Sequence, residues 1–227
     1  MSRAVTPFLG IVMLDTRFPR PLGDIGNPLT FERAGIAVRY LRVDRASPER
    51  VVIHADAQLH APFVRAMQAL AADGASLVST SCGFLAAQQP LFAASLSIPV
   101  VSSSLLQCAG LERPGIVTFD AAALTPAVLL GAGVPDGTPV EGLMPGCELH
   151  RRILGNETQL DVLAAEQDVV GAALRLVQRH PDICNIVLEC TNMPPYRNAV
   201  AQACGRPVHD IETLLSASWQ ALSGGAR

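Results

Sequence analysis

The chain has 227 residues, of which 49% are hydrophobic, 16% are charged and 4% are aromatic. This apolar content excludes a disordered protein, and the net charge of −3 argues against a nucleic-acid binder, which needs a basic surface for phosphates. All 17 basic residues are arginine, so no lysine exists to form a Schiff base with pyridoxal phosphate or to complete a phosphate-binding Walker loop.

Short β-branched apolar runs alternate with alanine- and leucine-rich segments, a pattern typical of a parallel sheet covered by helices. The predicted strands are Phe8–Leu14, Ile36–Val43, Ser76–Ser81, Pro99–Ser102, Gly115–Phe119, Thr138–Leu143, Asn185–Glu189 and Pro207–Asp210. The predicted helices are Pro62–Ala72, Leu85–Ser95, Leu105–Ala109, Leu124–Gly131, Leu160–Arg179, Tyr196–Cys204 and Glu212–Leu222. Two long loops are expected at 15–31 and 145–156, and structureless loops of this length in a compact domain are usually functional or mobile.

Two features of the sequence repeat at nearly the same spacing. Gly10–Asp15 reads GIVMLD, and Gly115–Asp120, 105 positions later, reads GIVTFD. Cys82 and Cys190, 108 positions apart, each end an apolar strand and each lie 17 residues before a proline that opens the next strand. Because the two offsets agree within three residues, we interpret the chain as a duplicated α/β unit.

The duplication predicts an α/β fold of two pseudo-symmetric, flavodoxin-like domains with mostly parallel sheets and an active site in the cleft between them. We expect residues 1–104 together with 212–227 to form the first domain, and residues 105–211 the second. The last predicted helix has no counterpart at the end of the first copy, so we expect it to pack back across the first domain.

The two repeat-related cysteines are the candidate catalytic residues. Each ends a strand before a helix, where the helix dipole and unpaired N–H groups lower a thiol pKa and can hold a carboxylate. Thiols on opposite sides of one cleft could invert a carbon α to a carboxylate, because one removes the proton and the other returns one. A single strand-end cysteine is more often a buried core residue, but a repeat-related pair favours function. The remaining cysteines are interpreted as structural: Cys108, Cys147, Cys184 and Cys204.

The duplicated unit, Ser81-Cys82-Gly83 and Cys190-Thr191-Asn192 resemble the aspartate/glutamate racemase superfamily. The resemblance implies a cofactor-independent enzyme with a catalytic cysteine in each domain, Cys82 and Cys190, and makes a homodimer plausible. Asp15 matches an acidic residue near the first cysteine, and Thr191 matches a threonine that helps hold the substrate. The candidate substrate-binding residues are Asp15, Ser81, Gly83, Phe84, Thr191 and Asn192.

Several positions depart from the family pattern. Gly83-Phe84 replaces the Asn-Thr that usually follows the first cysteine, and Asn192 replaces a histidine or glutamate after the second. The proton-transfer pair is therefore kept while the recognition residues differ, and Phe84 at the pocket mouth could favour an apolar substrate group. The predicted function is a cofactor-independent amino-acid racemase. Alternatives are a hydantoin racemase, a maleate isomerase, an arylmalonate decarboxylase-like enzyme, or a carboxylate-binding protein without turnover.

The remaining expectations concern partners and location. His54, His60 and His150 lack the spacing of a metal site, so we expect no metal and no cofactor. We expect a small carboxylate substrate and neither nucleic acid nor membrane as a partner. The absence of an 18-residue apolar run and of a signal-peptide core, together with six cysteines, favours a cytoplasmic protein.

Overall fold

The computed structural model describes residues 6–224 and contains two sheets of four parallel strands each within that range. The strands are β1 (Phe8–Met13), β2 (Val38–Arg42), β3 (Ala75–Thr80), β4 (Val100–Val101), β5 (Pro114–Thr118), β6 (Val140–Gly142), β7 (Asn185–Leu188) and β8 (Val208–His209). The strand order is β2-β1-β3-β4 in the first sheet and β6-β5-β7-β8 in the second. All pairings within the two sheets are parallel.

Helices connect the strands, as parallel pairing requires. They are α1 (Pro28–Glu32), α2 (His60–Ala72), α3 (Gln89–Ser95), α4 (Pro126–Gly131), α5 (Glu148–Leu154), α6 (Val162–Arg179), α7 (Arg197–Cys204) and α8 (Ile211–Gly224). Single 3-10 turns or short 3-10 helices occupy Ala57–Leu59, Gly83–Gln88, Ser104–Gly110 and Pro194–Tyr196, and a π-helical turn occupies Glu49–Ile53. Within residues 6–224, no helix has the length and apolar character needed to cross a bilayer.

The sequence prediction of two parallel α/β sheets is confirmed. Every predicted strand is present and lies within two residues of its predicted ends. The repeated hexapeptides form β1 and β5, which hold the same second position in the two strand orders. The repeat in the sequence therefore corresponds to the same strand order in the two sheets.

The two predicted loops differ from the structure because each contains a short helix. Pro28, which we took as a loop signal, begins α1, where its missing N–H costs nothing. The Asn27 side chain caps this helix by accepting a hydrogen bond from the Leu29 N–H. In the second loop, Glu148 and Arg152 form an ion pair of 2.7 Å along α5. Both helices are too short for a periodic pattern to reveal them.

The central strand β1 buries both of its faces, as a parallel strand covered by helices should. Phe8 and Val12 belong to the large core cluster that includes α2, whereas Leu9 and Ile11 pack with Ile211 and Leu215 of α8. Helix α8 therefore lies against the first sheet.

The carboxyl ends of β3 and β7 meet at the boundary between the two sheets. The Thr191 hydroxyl donates to the Ser81 carbonyl oxygen at 2.8 Å, and the Ser104 hydroxyl donates to the Leu188 carbonyl oxygen at 2.7 Å. The first bond joins the segments that follow β3 and β7, and the second joins the segment after β4 to the end of β7. Any side chain at these two strand ends consequently faces a shared space.

Candidate active site

Cys82 and Cys190 line one narrow cavity between the two sheets. Both side chains are buried, and the cavity volume is about 20 Å³, the space of about one water molecule. The apolar lining comes from both halves of the chain: Leu14, Phe18, Val52, Phe84, Phe119 and Ile153. The polar lining consists of Ser81, Glu189, Thr191 and Asn192 in addition to the two thiols.

Cys82 is held by the end of β3 and the start of the 3-10 helix that follows. The Thr80 hydroxyl lies 2.8 Å from the Ser102 carbonyl oxygen and 3.0 Å from that of Cys82, which fixes the backbone as the strand ends. Cys82 itself is extended, with φ −151°, and occupies the N-cap position. Its side chain forms no capping hydrogen bond, but the nearby backbone N–H groups of Phe84 and Leu85 act to lower the pKa of the thiol.

Cys190 is held by a chain of polar contacts that begins in the loop after β1. Its thiol lies 3.5 Å from the Asn192 Oδ1, which accepts its hydrogen bond. The Asn192 amide nitrogen donates to Asp24 Oδ2 at 2.6 Å, and Asp24 also pairs with Arg20 at 2.7 Å. Because a carboxylate only accepts, Asp24 fixes which end of the Asn192 amide faces the thiol.

Both thiols are protonated in this narrow cavity. Burial raises the pKa of Cys82 to about 12, and the neighbouring Glu189 carboxylate raises it further, while the N–H groups of Phe84 and Leu85 oppose the shift. Burial and Glu189 likewise raise the pKa of Cys190 well above its ordinary value. The expectation of lowered thiol pKa values was therefore wrong, because desolvation outweighs the N–H groups that the sequence correctly suggested.

Glu189 is a cavity residue that the sequence analysis did not identify. Its Oε2 accepts hydrogen bonds from the Thr118 hydroxyl at 2.9 Å and the Phe119 N–H at 3.5 Å. Its Oε1 is buried and has no hydrogen-bond partner among the described residues. Burial raises the pKa of Glu189 to about 7. The available signal was an acidic residue ending the apolar run Ile186–Leu188, directly before Cys190.

Gly83 allows the two strand ends to approach each other. A Cβ atom at this position would overlap Glu189 Oε1 and would lie 2.5 Å from the Glu189 carbonyl oxygen. Only glycine fits this contact without displacing the carboxyl group. Gly83 was predicted to bind the substrate. In the structure, its close contact with Glu189 explains why glycine is needed at this position.

Five of the six predicted substrate-binding residues line the cavity: Ser81, Gly83, Phe84, Thr191 and Asn192. Asp15 does not, which corrects the expectation for this residue. Its carboxylate accepts the Arg45 N–H at 3.1 Å and lies 3.5 Å from the Arg42 guanidinium. Its neighbour Leu14 lines the cavity, and successive residues in extended chain point to opposite sides.

Within the part of the chain that the structure describes, no three His, Cys, Asp or Glu side chains are grouped so that they could hold a metal ion. No arginine or histidine of residues 6–224 lines the cavity. The chemistry that these residues offer is proton transfer by two thiols and one carboxyl group in a largely apolar space.

The two parallel sheets match the fold of several solved racemases and of a decarboxylase. Allantoin racemase from Pseudomonas fluorescens superposes with a TM-score of 0.63 at 18% identity, covering 96% of this chain and 92% of that one. A glutamate racemase from Bacillus anthracis gives 0.61 at 14%, covering 98% and 83%. Unliganded arylmalonate decarboxylase gives 0.55 at 18%, covering 96% and 92%.

Among curated proteins the chain is similar to enzymes that are named as lyases rather than as racemases or decarboxylases. Dimethylsulfoniopropionate lyase from Durusdinium sp. clade D is 29% identical over 223 residues, which cover 89% of this chain and 70% of that protein. Dimethylsulfoniopropionate lyase 7 from Emiliania huxleyi strain CCMP1516 is 26% identical, over 97% of this chain and 69% of that protein. No protein-family model matches the chain. All of these similar proteins are enzymes by name, and the likeness supports an enzymatic role here.

Proposed function

We propose that this protein is a lyase that eliminates a dialkyl sulfide from a sulfoniopropionate such as dimethylsulfoniopropionate. The observation that carries the proposal is the cavity lining, which combines two thiols and a buried carboxyl group with three phenyl rings, those of Phe18, Phe84 and Phe119. The names of the curated relatives support the same substrate.

The lining suits a cation without N–H groups. The positive charge of a sulfonium is surrounded by alkyl groups, which cannot donate N–H hydrogen bonds. Such a cation is attracted to aromatic faces and to a carboxylate. A substrate ammonium would need about three hydrogen-bond acceptors. The Thr191 hydroxyl and the Asn192 amide nitrogen donate hydrogen bonds within the protein, and the Ser81 hydroxyl accepts one. Glu189 Oε1 is a carboxyl oxygen without a partner among the described residues.

Elimination and racemisation begin with the same step, removal of the proton α to a carboxylate. In the elimination, a thiolate takes this proton and the C–H electron pair forms the Cα–Cβ double bond. The Cβ–S bond breaks, and its electrons leave with the sulfur as a neutral sulfide. The other product is acrylate, and charge is conserved because the substrate zwitterion loses one proton to the protein.

Substrate binding requires the cavity to widen. A volume of about 20 Å³ is too small for a zwitterion of this size, which contains five carbon, two oxygen and one sulfur atoms. Two lining residues lie on surface connections: Phe18 on the loop after β1, and Val52 on the π-helical turn Glu49–Ile53. We infer that these two segments move outward to admit the substrate.

Racemisation of a small carboxylate is the second candidate. The observation that favours it is the equivalent placement of the two thiols, one after β3 and one after β7. A two-base inversion uses both thiols, whereas elimination needs one base.

The test compares product formation by the full chain and its single variants. Purified protein is incubated with dimethylsulfoniopropionate, with sulfide measured by gas chromatography and acrylate by NMR. We expect equal amounts of both products, loss of activity in whichever of Cys82→Ser and Cys190→Ser removes the single base, and normal activity in the control Cys204→Ser. In parallel, amino acids, hydantoins, malonates and maleate are incubated in deuterium oxide. Inversion of one of these compounds without sulfide release would overturn the lyase and establish the racemase.

A further inference from the structure

A second cavity, which we call the vestibule, lies beside the cavity that holds the two thiols. Its volume is about 230 Å³. Its walls come from the π-helical turn Glu49–Ile53, the 3-10 helix Gly83–Gln88 and the segment 122–128, which contains the start of α4. The reaction proposed above uses the thiol cavity alone, so the vestibule needs an explanation of its own.

The vestibule has an exposed rim and a buried floor. Ala87, Ala122 and Ala127 contribute to the rim and are exposed. Val52 and Phe84 contribute to the floor, where they are only 8% and 7% exposed. Because alanine side chains are short, the rim leaves the vestibule accessible to small molecules from solvent.

Val52 and Phe84 belong to both cavities. Each lines the vestibule, and each also lines the cavity of Cys82 and Cys190. Residues that line two neighbouring cavities form the partition between them. Movement of these two side chains would connect the thiol cavity of about 20 Å³ with the much larger vestibule.

One side of this partition has an unusual backbone. Val52 lies in a π-helical turn, a rare conformation that is often found at functional sites. Shortly after the turn, Ala55 has a φ of 43°, in the left-handed region that is unfavourable for residues other than glycine. Strained backbone of this kind is common in switch and clamp regions, so the segment is suited to move.

A smaller cavity also adjoins the thiols. It shares Phe18, Ile153 and Asn192 with the thiol cavity, but its volume is only about 10 Å³. A space of this size does not hold even one ordered water comfortably. The vestibule therefore offers the more spacious approach to the thiols.

We propose that the substrate reaches the thiols through the vestibule, and that Phe84 and Val52 form a gate that limits the size of the molecules that pass. The identity of the substrate rests on the proposed function, whereas the route applies to any small molecule that reaches the thiols. The lining suits a sulfoniopropionate, because the Phe84 ring attracts a cation and the rim alanines accept its alkyl groups. Phe84 is thus a specificity-determining residue, which should exclude sulfonium compounds with bulky alkyl groups.

The first experiment blocks the rim and measures how fast the thiols react with N-methylmaleimide, with each modified cysteine assigned by tandem mass spectrometry. Ala127→Trp places an indole at the rim, and we expect the rates at Cys82 and Cys190 to fall about tenfold. The rate at Cys204, on α7, should not change and serves as the internal reference.

Two further variants make this result specific to the vestibule. Ala122→Trp blocks the rim from another position and should have the same effect as Ala127→Trp. Ala69→Trp is the matched control, because Ala69 is an exposed residue of α2 that lines neither cavity. Its thiols should react at the wild-type rates.

The second experiment opens the gate. Phe84→Ala should raise the rates at both thiols about tenfold, with a larger gain for N-phenylmaleimide than for N-methylmaleimide. Phe84→Leu, a milder change in the same direction, should give a smaller gain with the same preference for the larger reagent. Circular dichroism shows whether each variant is folded.

Two outcomes would overturn the proposal. Wild-type rates at both thiols in both rim variants would refute the route. An equal gain for the two reagents in folded Phe84→Leu, or no gain at all, would refute the gate. Because no substrate is present, these outcomes leave the lyase proposal standing. Conversely, protection of the thiols by the rim variants, together with an absence of sulfide release by the wild type, would retain the route and refute the lyase.

Discussion

Asn192 and Asp24 form a hydrogen bond of 2.6 Å between residues 168 positions apart in the chain. The bond joins the segment after β7 to the loop after β1, and through Asn192 Oδ1 it reaches the Cys190 thiol. Asp24 is almost completely buried, and its other oxygen pairs with Arg20. One carboxylate thus connects the first half of the chain to a candidate catalytic thiol in the second half.

Asp24→Ala should lower both stability and activity. The substitution leaves a largely buried guanidinium at Arg20 and an unpartnered amide at Asn192, at a cost of about 3 kcal/mol in the free energy of unfolding. Urea denaturation measures the loss. Asp15→Ala is the matched control, because Asp15 is partly exposed and its ion pair with Arg42 should contribute less than about 1 kcal/mol. Equal losses in the two variants would contradict the role given to Asp24.

Gly83→Ala should displace the Glu189 carboxyl group. The added Cβ would overlap Oε1, and such overpacking costs about 1–3 kcal/mol. We expect a lower free energy of unfolding in urea. Gly110→Ala is the control, since a Cβ there meets no atom within 4 Å. Equal stability of Gly83→Ala and the wild type would show that the close contact with Glu189 does not matter.

Glu189 should make the protein less stable as the pH rises through neutrality. Its pKa is about 7 in the fold and about 4.5 in the unfolded chain, so the folded state holds the proton more tightly. This stabilisation is fully present below about pH 4.5 and is lost as the pH rises through 7. Relative to Glu189→Gln, the wild type should therefore lose about 3 kcal/mol between pH 4.5 and 7.5. Chemical denaturation at a series of pH values tests this, and a pH-independent difference would contradict it.

Phe18→Leu should weaken the binding of cations more than that of ligands without a positive charge. A cation over a phenyl ring gains on the order of 1 kcal/mol, so KM for the sulfoniopropionate should rise about fivefold. The thioether 3-(methylthio)propionate, which keeps the carboxylate but lacks the sulfonium charge, should bind as an inhibitor with unchanged affinity. Phe92→Leu, a core substitution at a residue that does not line the cavity, is the control. An equal loss for both ligands would mean that Phe18 contributes only apolar area.

The sequence predicted the parallel sheets and the placement of Cys82 and Cys190 at neighbouring strand ends, because strand patterns and repeats are local and periodic. The spacing of Cys82 and Cys190 from the following prolines was enough to place both at strand ends. It could not give the thiol pKa values, since these depend on desolvation by residues far away in the chain. Asp15 was predicted to lie in the substrate site but does not line the cavity. A residue at the end of a strand can point towards the cavity or away from it, and the sequence does not determine which.

Glu189 and the choice of reaction were harder to foresee. A lone glutamate at the end of a strand resembles a solvated residue until its burial is known. Elimination and racemisation share their first step, so the same pair of thiols is compatible with both. The feature that favours elimination over racemisation in our proposal is the aromatic lining of the cavity. Its residues Phe18 and Phe119 come from separate parts of the chain and line one cavity only in the fold.

The most direct test of the account follows the α-proton itself. The full chain is given dimethylsulfoniopropionate carrying two deuterium atoms at Cα, in ordinary water, and the products are examined by NMR and mass spectrometry. Removal of the α-proton by a thiolate predicts acrylate with one deuterium at C2, released together with dimethyl sulfide and more slowly than from the unlabelled substrate. Products that retain both deuterium atoms, or a thiol alkylated by the substrate, would mean that the cysteines attack carbon rather than hydrogen and would contradict the account.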